Sequence, residues 1–246
     1  MKLGCDPEVF CNNGNVIVPV CGYIPGTKLS PLPVSKGALQ EDNVAAEFNI
    51  EPATTKEEWI NNIFDVMGEL SAHLSKHGIG YTIKASHYFE RAALEEAGQK
   101  AFVFGCDPDL NAWTGKVQIA KSKGNLRTCG GHVHIEGGND NTVRWMDVYV
   151  GLPSLLIDKD KDRRKMYGKP GSFRFKPYGV EYRAVSNFWL QSNELMGWIW
   201  DSAELALEQT ELNSMMNDRR VYAAIMGNKP GLAIDLMREY GVNAPC

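Results

Sequence analysis

The chain has no C-x-x-C pair, although it carries six cysteines: Cys5, Cys11, Cys21, Cys106, Cys129 and Cys246. A structural zinc site therefore has no spacing to rest on. Thiols scattered in this way over 246 residues read as reduced cysteines and not as a disulfide framework. There is no G-x-x-x-x-G-K-[ST] loop and no G-x-G-x-x-G turn, so any phosphate has to be held by metal and arginine. No apolar run approaches membrane-spanning length. "MKLGC" looks like a lipoprotein cleavage site, but no apolar segment precedes it, so a cytoplasmic location and no membrane partner are expected. A basic excess is missing too. The formal net charge is −4, which speaks against a general nucleic-acid binder.

What is present suits a globular enzyme. Hydrophobic residues make up 43% and charged residues 23%, ordinary for a packed core. No linker divides the chain, and residues 1–246 are expected to form a single catalytic domain. "LGCDPEVFC", the Asn13-Gly14 turn and "VIVPVCG" predict a hairpin. Residues 22–42 read as a long loop and "NVAAEFNIE" as a strand. Thr55 with Glu58 forms a capping box opening a helix to about His77, closed by Gly78. "GYTIKAS", "AFVFGCD", "GGHVHI" and "VEYRAVSN" read as further strands, and residues 141–157 as helix. Residues 158–179 read as a charged, glycine-bearing loop or flap. From about 190 to 246 the pattern is helical, broken near Asn213 and at Gly227–Gly231. Strands early and helices late predict an α+β fold with a mostly antiparallel sheet.

Three pairs of polar residues occur at i, i+2 on these strands: Asp6 with Glu8, His132 with His134, and Glu181 with Arg183. Alternate residues of a strand share a face, so Val133 and Ile135 would turn to the core while both histidines look the other way. Glu47 sits alone among apolar neighbours in "VAAEFNI". Charged groups amid apolar strand residues need partners, because unpaired burial costs several kcal/mol. If the strands share one sheet, Asp6, Glu8, Glu47, His132, His134, Glu181 and Arg183 converge. Carboxylates with imidazole suit Mg²⁺, with Mn²⁺ as an alternative. The competing reading is a solvated sheet face.

Other motifs fail. His73 and His77 have helical zinc-protease spacing but no glutamate base between them. Asp158, Asp160 and Asp162 imitate a calcium loop, yet Arg163 and Lys169 stand where glycine and glutamate are required. The echo of "GCDPE" in "GCDPD" makes Asp107 and Asp109 candidates, or else two ordinary strand-to-turn transitions. Arg163, Arg164 and Arg174 fall in the expected flap, where guanidinium groups could hold phosphate oxygens bidentately.

"GCDPEVF", "NVAAEFN", "RTCGGHVHI" and "GVEYRAVSN" together, over roughly residues 3–190, resemble the phage-encoded carboxylate–amine ligase type 2 family of amidoligases, related to glutamine synthetase and glutamate–cysteine ligase. The resemblance implies a glutamine-synthetase-like curved sheet of about six strands, lining a site for two or three Mg²⁺ ions, with helices on its outer face. It implies ATP, a carboxylate substrate activated as an acyl phosphate, and a small-molecule or peptide amine that attacks it. Asp6, Glu8, Glu47, His132 and Glu181 match metal ligands. Arg183 matches a substrate arginine and joins Arg174 and His134 as catalytic candidates. Arg163, Arg164, Arg174 and His132 are the nucleotide candidates. Three positions depart from the pattern: Asp6 replaces glutamate, an earlier acid could be Glu41 or Asp42, and Gly179 stands where arginine is frequent. His134, about 7 Å along the strand from His132, is expected to contact substrate or phosphoryl group while His132 serves the metal. A guanidino-kinase-like phosphotransferase and a non-catalytic virion or binding component are the alternatives.

Overall fold

The computed structural model describes residues 1–102, 108–118, 124–212 and 214–245. Strands β1 (Leu3–Cys5) and β2 (Glu8–Asn13) are one extended run interrupted at Asp6-Pro7, because proline has no N–H to give to a ladder. The Asn13-Gly14 turn, with Gly14 at φ +55°, returns the chain into β3 (Val16–Val18). Next come β4 (Leu32–Val34), β5 (Gly37–Asp42) and β6 (Ala45–Ile50). Helix α1 (Lys56–Ser75) begins at Thr55, whose hydroxyl oxygen accepts the Glu58 N–H at 3.2 Å, and the chain leaves it through Gly78 at φ +70°. There follow β7 (Gly80–Thr82), β8 (Ser86–Tyr88), α2 (Arg91–Glu96), β9 (Asp109–Asn111), β10 (Val117–Gln118), β11 (Leu126–Thr128) and β12 (Val133–Glu136). Helix α3 (Asp140–Met146) passes through a π turn at Asp147–Gly151 into α4 (Leu152–Ile157). The short α5 (Arg163–Met166) precedes the hairpin of β13 (Ser172–Lys176) and β14 (Gly179–Tyr182). The chain finishes with α6 (Asn193–Glu211), α7 (Arg219–Met226) and α8 (Pro230–Glu239). No described helix is long and apolar enough to cross a membrane.

The fold is α+β and mostly antiparallel, but the strands form two larger sheets instead of the one expected. The first has the order β1-β12-β14-β13-β9-β10; the second runs β3-β2-β6-β5-β4, with β7 also paired to β2. They meet where the first chain segment crosses at Asp6-Pro7. Leu3 exchanges backbone hydrogen bonds with Ala53, which follows β6, and the Glu8 N–H donates to the Gly130 carbonyl before β12. A two-stranded ribbon of β8 and β11 stands apart.

Two expected loops contain strands. Residues 22–42 hold β4 and β5. Pro31 and Pro33 disguise the first, yet β4 is an edge strand, where a missing N–H does no harm. The expected flap ends in β13, an interior strand of the first sheet. The "AFVFGCD" strand falls outside the described residues from Val103 onward, and with it Asp107; the helix break at Asn213 is likewise outside them.

Helices cover the outer faces. Helix α1 packs on β5, β6 and β7, α3 packs on β13 and β14, and α6 lies against both helices. Val133, Ile135, Val180 and Tyr182 are fully buried beneath them, as alternation in "HVHI" and "VEYR" demands. Trp59 of α1 stacks on Trp189 at 5.8 Å between ring centroids. A buried carboxyl lies in this layer. Asp147, in the π turn, accepts hydrogen bonds from Trp113 Nε1 at 2.6 Å and Tyr182 Oη at 2.8 Å. Burial pushes its carboxyl up to about 7.

Candidate active site

Register alone assembles the site floor. Residues directly opposite in antiparallel strands share a face. In the first sheet Gly4 faces His134, His134 faces Glu181, and Glu181 faces Arg174. One pleat repeat away, the Asp6 N–H donates to the His132 carbonyl and the Arg183 N–H to the Ser172 carbonyl, continuing a parallel row. In the second sheet Glu8 faces Glu47, and Glu47 faces Gln40. Because the chain changes sheets between Asp6 and Glu8, these rows close on one cleft of about 560 Å³. Asp6, Glu8, Glu47, His132, His134, Arg174 and Arg183 all line it. Glu181 lies fully buried in the floor.

The histidines converge on one carboxylate oxygen. Oδ1 of Asp6 lies 3.0 Å from His134 Nε2 and 3.4 Å from His132 Nδ1. Burial pushes the Asp6 carboxyl up, but the two histidines outweigh it and hold it well below the usual range. His134 answers in the opposite sense: burial lowers it, and Asp6 more than compensates. His132 is a different case. Burial and the neighbouring Arg183 drive it down to about 3, so it is neutral, and its Nδ1 accepts from Arg183 Nη1 at 3.2 Å.

Asp6, His134 and Glu181 offer ligand atoms all within 4.8 Å of one another; His132 turns Nδ1 to a guanidinium, and its buried Nε2 has no hydrogen-bond partner among the described residues. The separation of about 7 Å along the strand is overcome because Asp6 comes from a neighbouring strand and reaches between the two rings.

Deeper in the cleft, Glu8 accepts from the Gly130 N–H at 2.7 Å and Glu47 from Gln40 Nε2 at 2.7 Å. Burial, then Asp42, raises Glu8 to about 8; burial, then Asp6, Asp42 and Glu8, raises Glu47 well above its ordinary value. Asp42 lines the cleft. Glu41 points from the other face and pairs with Lys100 at 2.6 Å, so strand alternation settles which of the two belongs to the site.

Three cations gather around Glu181 and Asp109. Arg183 pairs with Glu181 and also with Asp109 at 3.0 Å, and Arg174 meets the same Asp109 oxygen at 3.2 Å. Lys176 reaches Glu181 at 2.8 Å. Asp109, the end of the repeated "GCDPD", thus holds both cleft arginines. Lys176 was not foreseen, although "SFRFK" alternates and places it on the face of Arg174. Gln40, Lys28 and Tyr178, also cleft-lining, carried no recognisable sequence signal.

Arg163 and Arg164 do not line the cleft, and the expected arginine flap is corrected. Arg163 is 2% exposed and donates to the carbonyls of Ala184 at 2.9 Å and Arg183 at 3.4 Å. Arg164 donates to Ser154 Oγ at 2.7 Å, on the helical side. A buried guanidinium that donates to two carbonyls supports the chain just past β14. Arg163→Met is accordingly expected to lower unfolding free energy by about 2–6 kcal/mol, since each of the two stranded carbonyls costs about 1–3 kcal/mol. An unchanged denaturant midpoint would refute that supporting role.

The glycine pair before the histidines also acquires a reason. A Cβ on Gly131 would lie 2.2 Å from the Ser186 carbonyl oxygen, and one on Gly130 would strike the folded-back ring of His132. Gly179 cannot be arginine here: it has φ +154°, and its Cβ would lie 2.2 Å from the Ile135 oxygen.

Residues 120–228 match the family model described as phage phiEco32-like COOH.NH2 ligase-type 2. The matched segment contains His132, His134, Arg174, Glu181 and Arg183; Asp6, Glu8 and Glu47 lie before it. No curated protein matches the chain.

Proposed function

We propose that this protein is an ATP- and Mg²⁺-dependent ligase that joins a carboxylate to an amine through an acyl phosphate, on a glutamine-synthetase-like catalytic domain. The observation that carries the reading is the content of the cleft. Asp6, Glu8, Asp42 and Glu47, drawn from two sheets, share one cavity with His132, His134, Arg174, Lys176 and Arg183. The family match over residues 120–228 names the same reaction class.

The donor set fits a hard divalent cation. Asp6, His134 and Glu181 converge, and Glu8 lies directly opposite Glu47. Oxygen donors with a single imidazole favour Mg²⁺ or Mn²⁺ over zinc. A bound ion would offset the negative charge gathered when ATP and a carboxylate meet. The chain's own residues do the rest. Arg174 and Arg183 present guanidinium groups to phosphate oxygens, held in place by Asp109. Neutral His132 keeps Arg183 oriented. The cleft walls at Ile50, Pro31 and Pro52 limit water around the reacting acid. Small or peptide acids and amines are the proposed substrates, in the cytoplasm.

The test is a product assay. Purified protein with Mg²⁺, ATP and mixed acids and amines is expected to yield ADP, phosphate and a new amide by mass spectrometry. A stable phosphorylated acceptor would favour the phosphotransferase alternative. Failure of the protein to bind either Mg²⁺ or nucleotide would refute the reading.

A further inference from the structure

His134 is engaged from both sides of its ring. Nε2 lies 3.0 Å from Asp6 Oδ1, and Nδ1 lies 2.8 Å from the Tyr178 hydroxyl. The two rings are nearly parallel, 27° apart in plane with centroids 5.9 Å apart. Tyr178 sits in the turn between β13 and β14 at the cleft, and its backbone is pinned there. The Gly137 N–H donates to the Tyr178 carbonyl at 2.8 Å, and Gly179 packs against the Ile135 carbonyl with no room for a Cβ. The phenol is 43% exposed, so its hydroxyl hydrogen has water to turn toward.

A neutral imidazole carries one N–H and one lone pair. In the neutral ring with no cation bound, the proton belongs on Nε2, which faces the Asp6 carboxylate at 3.0 Å. Nδ1 must then accept. A cation held by Asp6, His134 and Glu181 needs the Nε2 lone pair, so the proton has to sit on Nδ1, which must then donate. The partner at Nδ1 therefore has to give a hydrogen bond in one state and take one in the other. A phenol does both by rotating its O–H; lysine can only give and a carboxylate can only take.

We propose that Tyr178 is a positioning residue that lets His134 exchange tautomers as the cleft takes up a divalent cation. Its hydroxyl donates to Nδ1 in the cation-free cleft and accepts from Nδ1–H in the loaded one. One proton leaves Nε2 for solvent and one from solvent arrives at Nδ1, so the exchange is neutral overall. The inference rests on the metal-dependent reading of the cleft. Tyr178→Phe keeps the ring stack and removes only the hydroxyl. It is expected to weaken Mn²⁺ binding by about 10–100-fold, the usual effect of losing the partner of a ligating histidine.

Two measurements on the full-length chain test this. Calorimetric titration with Mn²⁺ compares wild type, Tyr178→Phe and Tyr178→Ser, the last supplying a shorter hydroxyl for partial rescue. Side-chain ¹⁵N–¹H correlation spectra report the His134 tautomer with and without Mg²⁺. The expected result is Nε2–H without Mg²⁺, Nδ1–H with it, and weaker binding by the phenylalanine variant at unchanged thermal midpoint. Cation binding with His134 still protonated at Nε2, or with full affinity in Tyr178→Phe, overturns the role of Tyr178 alone. Absence of cation binding in the wild type overturns the metal-dependent reading as well.

Discussion

Glu181→Gln is expected to cut turnover by about a hundred- to a thousandfold, the scale of losing one group that stabilises transition-state charge, while the protein stays folded. Glutamine keeps the volume and one acceptor oxygen for Arg183, but it is a poor ligand and carries no charge. The choice of glutamine matters. Glu181 is fully buried and pairs with Arg183 and Lys176. Alanine would strand two cations, and breaking a buried pair costs about 3–5 kcal/mol, so loss of activity in that variant would say nothing about chemistry. Asp6→Asn should behave like Glu181→Gln, because Asp6 is the oxygen on which both histidines converge. Glu41→Gln is the control: it belongs to the same strand as Asp42 but to its other face, and should turn over normally. Turnover and thermal midpoint measured together decide the matter. Wild-type rates in Asp6→Asn would sink the metal-site assignment.

Magnesium is expected to stabilise the protein much more at pH 8.5 than at pH 6. Burial raises the carboxyls of Glu8, Asp42 and Glu47 in the folded chain, Glu8 to about 8. In the unfolded chain a glutamate titrates near 4.3. Folding thus favours the protonated form. The stability these acids permit is fully present below about pH 4 and is lost as pH rises, for Glu8 until the pH passes about 8. A divalent cation reverses this, because it binds the ionised carboxylates and only in the folded state. The rise in melting temperature at saturating Mg²⁺ should be larger at pH 8.5 than at pH 6 by at least about 5 °C, given about 2–4 °C per kcal/mol for a chain of this size. Glu8→Gln should flatten the decline of cation-free stability with pH. A Mg²⁺ effect that is equal at both pH values would mean that these acids do not meet the ion.

Much of the site was legible because strand alternation is a local property. His132, His134, Arg183 and Glu47 line the cleft and Val133 and Ile135 lie buried on the opposite face, whereas Asp6 and Glu8 reach the cleft from different sheets. Failures came where one element's role depends on another. Pro31 and Pro33 read as loop because the sequence does not say that β4 is an edge. Arg163 read as a phosphate ligand because charge in a glycine-bearing stretch suggests exposure, whereas its partners are carbonyls about twenty residues away in the chain. Glu41 and Asp42 were indistinguishable until the register of β5 against β6 was known.

The sequence by itself determined which polar residues gather around the cleft. Acids, imidazoles and arginines set at strand spacing among apolar neighbours have no stable place except together, since each alone would be a buried unpaired group. The tertiary structure decided what each of them touches. The break at Asp6-Pro7 carries the chain from one sheet to the other, so Asp6 joins the histidine row and Glu8 joins the Glu47 row. That crossing sets Asp6 beside both histidines and groups it with His134 and Glu181, because contacts of about 3 Å are set by the meeting of strands distant in sequence, which no local pattern encodes.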